Sequence, residues 1–275
     1  MLNRKLNGHN GRAERSHRPA EDWIVRPVPK ANARLRLWCF HYAGGSASLY
    51  QEWPNALADD VEVCAVQLPG RGQRFPERPY RQLANLVTDL ADVLGPQMEQ
   101  PFAFFGYSMG ALVAFEFARE LRRRGLPAPL HLFVAARRAP QLPPPLNHQL
   151  SGLADDQLLK FLGESGNDKM SGLGMKGALA RMLLPTLRAD CQVAETYTYQ
   201  TDEPLDCSIS AYGGNQDPYV LEEHLREWRV HTRADFDLQM FEGNHFFLHR
   251  SLPLLPETVG QSLQLAYATT ERETL

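Results

Sequence analysis

From Leu35 onward the chain alternates short, almost wholly apolar runs with longer stretches of helical period. Leu35–Phe40, Val61–Leu68, Phe102–Phe105, His131–Ala136, Cys207–Tyr212 and Phe236–Phe241 are bounded by Gly, Pro or charged residues, the pattern of buried strands. Between them, Leu83, Leu86, Val87, Leu90, Val93 and Leu94 recur at the i, i+3, i+4, i+7 spacing of one buried helix face, and Ala111 to Arg124 is amphipathic in the same way. Strands alternating with helices predict an α/β architecture, a mainly parallel central sheet flanked by helices on both sides.

Two stretches break the alternation. Residues 1 to about 30 are rich in Asn, Arg, Gly and His with almost no apolar periodicity, and read as a flexible extension ahead of one domain over 31–275. Between about 141 and 200 no strand pattern occurs. Pro143-Pro144-Pro145 leads to Ser151 and a short helix signal, then to a longer helical pattern from Gly177 to about Tyr197. Sixty strandless residues between two strands of a sheet predict a helical lid over one end of it.

Composition narrows the function classes. The net charge of −3 hides a basic extension on a more acidic body, so no global basic field points to nucleic acid. No apolar run is long enough to span a membrane, and the N-terminus lacks the apolar core of a secretion signal. Cys39, Cys64, Cys191 and Cys207 form no Cys-x-x-Cys pair, which argues against a disulfide scaffold or zinc ribbon and for a reducing cytoplasm.

Candidate chemistry centres on Gly106-Tyr107-Ser108-Met109-Gly110. This Gly-x-Ser-x-Gly follows a predicted strand and precedes an amphipathic helix, so Ser108 is expected at a strand-to-helix turn, its hydroxyl exposed at the helix N-terminus. A serine hydroxyl needs a base, and the base an orienting group. Asp217 and His245 each lie in the loop just past a predicted strand, where open α/β sheets assemble sites. The order Ser108, Asp217, His245 is that of the α/β-hydrolase fold. His249, one helical turn further, is the alternative base. Asp202 and Asp206 precede their strand and fall at its wrong end.

The oxyanion hole is expected from the Met109 amide and one in the loop Phe40-His41-Tyr42-Ala43-Gly44-Gly45, with Ala43 first and Tyr42 second. His41 is read as serving position rather than chemistry. Asp190 could pair with Arg188 or bridge to the main domain. Gly172-Leu-Gly174-Met-Lys-Gly177 spells a dinucleotide fingerprint, but no strand precedes it. His245 and His249 lack the glutamate of a zinc helix, so no metal is expected.

The motifs resemble those of the stand-alone type II thioesterases that accompany nonribosomal peptide and polyketide synthases. The resemblance runs from about Leu35 to Leu263. It is carried by Tyr42-Ala-Gly-Gly-Ser-Ala-Ser-Leu-Tyr50, Gln67-Leu-Pro-Gly-Arg-Gly-Gln-Arg74, Phe105-Gly-Tyr-Ser-Met-Gly-Ala111, Arg138-Ala-Pro140, Leu184-Pro-Thr-Leu-Arg-Ala-Asp190, Gly214-Asn-Gln-Asp217-Pro-Tyr-Val220 and Gly243-Asn-His-Phe-Phe-Leu248. It implies an α/β-hydrolase fold, Ser108 as nucleophile, Asp217 as acid and His245 as base. The implied substrate is an acyl group on the phosphopantetheine arm of an acyl or peptidyl carrier domain, with no cofactor beyond that arm. Alternatives are a carboxylesterase for free small esters and an inactive hydrolase-fold interaction protein.

Tyr42 and the lid residues Met170, Met175, Met182 and Leu184 are expected to line an acyl chamber. Arg71, Arg74, Arg78, Arg81 and Arg122 to Arg124 could meet an acidic carrier domain or the pantetheine phosphate. A monomer is expected.

Overall fold

Each apolar run pairs with a neighbour, and its alternate side chains face opposite ways. A computed structural model describes residues 18–143, 149–158 and 178–273. Its strands are β1 (Ile24–Val25), β2 (Leu35–Phe40), β3 (Val61–Val66), β4 (Phe102–Tyr107), β5 (His131–Ala135), β6 (Ser208–Gly214) and β7 (Phe236–Phe241). They form one seven-stranded sheet in the order β1-β3-β2-β4-β5-β6-β7. All neighbours are parallel except β1, which pairs antiparallel with β3 through Ile24 with Val66 and Val25 with Ala65.

The helices are α1 (Leu83–Leu94), α2 (Met109–Arg123), α3 (Ala178–Glu195), α4 (Glu222–Arg226) and α5 (Leu254–Glu273). On β2, Trp38 and Phe40 join α1 and α2 in one core layer, while Leu37 and Cys39 join Tyr50, Trp53 and α5 in the other. A central sheet buried on both faces explains why its strands read as continuous apolar runs. Among the described residues no helix is long and apolar enough to cross a membrane. This is an α/β-hydrolase fold, and α3 belongs to its helical lid.

Part of the segment expected to be a flexible extension, residues 18–30, is ordered against the body. Residues 1–17 lie outside the described residues, but Trp23 is fully buried and β1 covers the edge of β3. Below the chain turn, the Arg74 guanidinium sits 4.0 Å from the Trp23 ring centroid. Three apolar residues in a row are too few to show a period, yet a two-residue strand and one tryptophan suffice to order the segment.

Candidate active site

The serine turn is dictated by two glycines. A Cβ on Gly106 would come within 2.3 Å of Gly110 O, and one on Gly110 within 2.1 Å of Phe40 O. Only hydrogens fit where β4, the head of α2 and β2 meet. Between them Ser108 has φ 52°, a left-handed conformation that costs energy for a residue with a Cβ and is held by its surroundings. Part of that hold is Ser108 N–H, which donates to Ala135 O at 2.8 Å.

His245 faces this serine: Ser108 Oγ–H can donate to His245 Nε2 at 3.1 Å, and His245 Nδ1–H to Asp217 Oδ2 at 2.7 Å. Asp217 is buried, and its other oxygen accepts Tyr219 N–H at 2.8 Å and Val220 N–H at 3.1 Å. The acid therefore has a fixed orientation. The base is anchored from below, where Tyr107 O–H donates to His245 O at 2.7 Å. His249 is bound elsewhere, its Nε2 lying 3.0 Å from the Tyr42 hydroxyl, so the structure brings His245 and not His249 to the serine.

The acid and histidine loops are fastened to each other. A Cβ on Gly214 would stand 2.4 Å from Gly243 O, so the two strand ends meet backbone to backbone. Asn215 Oδ1 accepts Gly243 N–H at 3.1 Å, and Gln216 N–H donates to Gly243 O at 2.8 Å. Asn215 is a positioning residue that sequence reasoning did not single out, although its place between Gly214 and Asp217 was a signal.

On the other side of Ser108 the glycine loop is held by α3. Asp190 Oδ2 accepts Gly44 N–H at 2.7 Å, and its carboxylate takes both Arg71 amino groups at 2.7 Å each. The same guanidinium donates to Gly45 O at 3.3 Å. Asp190 thus bridges lid and body rather than pairing with Arg188, which reaches Asp155 and Ser151 O. Thr186 O–H adds a second tie, donating to Gly70 O at 2.7 Å.

His41 is part of this fastening. Its Nδ1–H donates to Tyr42 O at 2.8 Å, which leaves Nε2 as an acceptor facing Arg71 at 3.4 Å. Burial, and then the Arg71 charge, push its pKa down to about 4, so it is neutral at ordinary pH. Gly44 N–H belongs to Asp190 and Gly45 N–H to Tyr42 O. Ala43 lines the cavity beside Ser108 and Met109, the first residue of α2.

That cavity holds about 1100 Å³, with Leu142, Leu150, Leu153, Leu158, Leu187 and Cys191 along its apolar wall. Of the side chains expected there, Tyr42 lines it. Met182 is 52% exposed and Leu184 is buried in the core layer, and neither reaches the wall, because the face of α3 turned to the cavity carries Leu187, Cys191 and Ala194 instead. Met170, Met175 and the Gly172–Gly177 segment lie outside the described residues.

Burial pushes the Cys191 thiol up to about 12. Among the described residues no cluster of side chains suits a metal ion. Two of the arginines expected to meet a carrier are structural: Arg71 and Arg74 are buried, paired with Asp190 and Glu77. Arg122, Arg123 and Arg124 are matched by Asp202, Glu120 and Asp92.

Comparison with known proteins agrees with this geometry. A family model described as "Thioesterase domain" matches residues 35–263. The "Linear gramicidin dehydrogenase LgrE" of Brevibacillus parabrevis is 42% identical over 91% of this chain and 96% of its own. The RedJ thioesterase of the prodiginine pathway in Streptomyces coelicolor superimposes with a TM-score of 0.79 at 40% identity, covering 86% of this chain and 88% of its own. The type II thioesterase BorB from the borrelidin biosynthetic cluster gives 0.78 at 35% identity, over 87% and 96% respectively.

Proposed function

The chain belongs to the thioesterase family, among its type II members, and on that premise we propose that Ser108, His245 and Asp217 hydrolyse acyl groups held as thioesters on carrier domains. The acyl group hangs on the phosphopantetheine arm of an acyl or peptidyl carrier, and its removal frees a misprimed or stalled synthase of secondary metabolism. The observation that carries this reading is the line from Asp217 Oδ2 through His245 to Ser108 Oγ, ending on a serine held at φ 52° at the head of α2.

Ser108 Oγ attacks the thioester carbonyl carbon while its proton passes to His245 Nε2. Asp217 holds the imidazole in the tautomer with Nδ1 protonated and stabilises the imidazolium. The carbonyl oxygen becomes an oxyanion between the Met109 and Ala43 amides, each such donor being worth about 10²–10³ in rate. The C–S bond then breaks, and the thiol leaves with the proton from His245. With a pKa near 8.5 it needs less help than an alkoxide or amine. Water attacks the acyl-serine with His245 again as base, releasing the carboxylic acid and restoring Ser108.

A hydride-transfer reading, which the name of LgrE brings in, gives the Ser108–His245–Asp217 line no task. Four free, buried cysteines suit action in a reducing cytoplasm.

Mass spectrometry of acyl-loaded carrier proteins and matching free acyl esters, each exposed to the purified protein, tests the proposal. Carriers are expected to lose their acyl mass, and Ser108→Ala to slow that loss by about 10⁴-fold or more. Preference for free esters, or undiminished turnover by the variant, would overturn it. Covalent labelling by a fluorophosphonate separates an active serine from an inert scaffold.

A further inference from the structure

Arginines around this fold are mostly met by acids: Arg119 by Glu116 and Asp202, Arg124 by Asp92 and Glu120, Arg188 by Asp155. Arg137 and Arg138 depart from that habit. They follow β5, the strand between the serine's β4 and the acid's β6, and both line the active-site cavity. Among the described residues no acceptor meets either guanidinium, and each Nε is buried without a partner.

Their backbone, in contrast, is held firmly. Arg137 O accepts the Trp228 indole N–H at 2.7 Å, Ala139 N–H donates to His224 O at 3.1 Å, and Ala136 N–H donates to Tyr212 O at 2.9 Å. Ala136 itself has φ 51°, a second left-handed residue one step before the pair. Glu195, the one acid among the described residues that line the cavity, is already taken: it accepts Ser151 N–H at 3.1 Å and the Ser151 hydroxyl at 2.5 Å. Asp217, buried behind His245, is held by His245 and two amides.

Burial pushes Arg137 down to about 10 and lowers Arg138 as well, yet both remain protonated near neutral pH. Two like charges therefore face a partly desolvated recess with no carboxylate paired to them among the described residues. Such a pair is unfavourable in the empty protein and gains most from an arriving anion, because guanidinium–oxyanion hydrogen bonds are short, charge-assisted and bidentate.

We propose that Arg137 and Arg138 form an oxyanion-binding subsite of the substrate cavity, fixing an anionic group of the thioester substrate while Ser108 acts on its carbonyl. This rests on the thioesterase reading and deepens it. The group is either the phosphodiester of the pantetheine arm or a free carboxylate on the acyl chain. Both present two or more oxygens to a guanidinium fork, and they reach the subsite from opposite ends of the same substrate.

The test compares kcat/KM for acetyl-N-acetylcysteamine, acetyl-phosphopantetheine and malonyl-N-acetylcysteamine in the wild type, Arg137→Gln, Arg138→Gln and the double variant. Wild-type preference for an anionic thioester over the neutral one is expected to fall about tenfold or more in the double variant. A fall confined to acetyl-phosphopantetheine assigns the phosphodiester, and one confined to malonyl-N-acetylcysteamine the carboxylate.

Independently, free 4′-phosphopantetheine or malonate should raise the wild-type melting temperature and leave that of the double variant unchanged. Preference ratios equal in wild type and double variant, with no ligand-dependent melting shift, would overturn the subsite. The underlying reading is tested separately by the neutral substrate, whose hydrolysis by the wild type should vanish in Ser108→Ala.

Discussion

Asp217 and His245 reach Ser108 on loops that fasten to each other locally, through Gly214 against Gly243, Asn215 on Gly243 N–H and two amides on Asp217. The glycine loop on the opposite side of the serine is fastened from a distance. Its Gly44 amide hangs on Asp190, a lid residue 146 positions along the chain, and the ion pair that fixes Asp190 comes from Arg71 in a third segment. The acid–base side thus rests on short-range hydrogen bonds within and between two adjacent strand-end loops. The glycine-loop side, where we propose the oxyanion hole, rests on one buried ionic contact that ties the lid to the body. A change in the lid is therefore expected to act first on the glycine loop.

Asp190→Asn should show this most strongly. It leaves the Arg71 charge buried without its counter-ion, which is expected to cost about 3–5 kcal/mol of stability. A loop displaced by about 1 Å should also lower kcat by about 100-fold. Arg71→Met with Asp190→Leu should recover much of the stability and little of the kcat, because Gly44 N–H then has no acceptor at position 190. Wild-type melting and turnover in Asp190→Asn would dissolve the contrast between the two sides.

Asn215→Ala probes the local side and should act more mildly. Losing the hydrogen bond to Gly243 N–H is expected to cost about 1–3 kcal/mol. Because only the seating of Asp217 against His245 shifts, the variant's pH–rate profile should move while KM stays near that of the wild type.

Acid gives a graded effect, spread over a pH range rather than set by one substitution. His41, His131 and His231 are buried, and burial pushes each down to about 4, so the folded protein keeps them neutral while the unfolded chain protonates them near 6.5. Between those values the unfolded state binds more protons, so stability falls as pH is lowered from about 6.5 to about 4. The slope is about 1.4 kcal/mol per pH unit for each histidine. Chemical denaturation across this range should show a shallower slope for His41→Gln, whose histidine belongs to the glycine loop. An unchanged slope would remove His41 from that fastening.

This division also governs what the sequence discloses. Strands β2 to β7, α1 and α2 are readable because a sheet buried on both faces writes long apolar runs and its covering helices a clear period. The Ser108 turn is readable because its glycines are adjacent in the chain, and Asp217 and His245 because each follows its own strand. Asp190 is legible as one end of an ion pair, but its partner Arg71, 119 positions away and read as a carrier-facing charge, is not until the fold places them together. Trp23 looks like part of a polar tail until β3 covers it. Met182 and Leu184 misled because a helical pattern shows which residues are apolar, not which side of α3 faces the cavity once Pro185 and the contacts at Gly44 and Gly70 set its phase.

Cys191 gives the cavity a chemical property of its own. A thioester exchanges readily with a neighbouring thiolate, and an acyl group captured that way would leave Ser108 idle. With its pKa pushed up to about 12 by burial, Cys191 stays a thiol at neutral pH. The same apolar wall that we propose receives the acyl chain keeps this sulfur protonated, so a thiol can line the cavity without competing with Ser108.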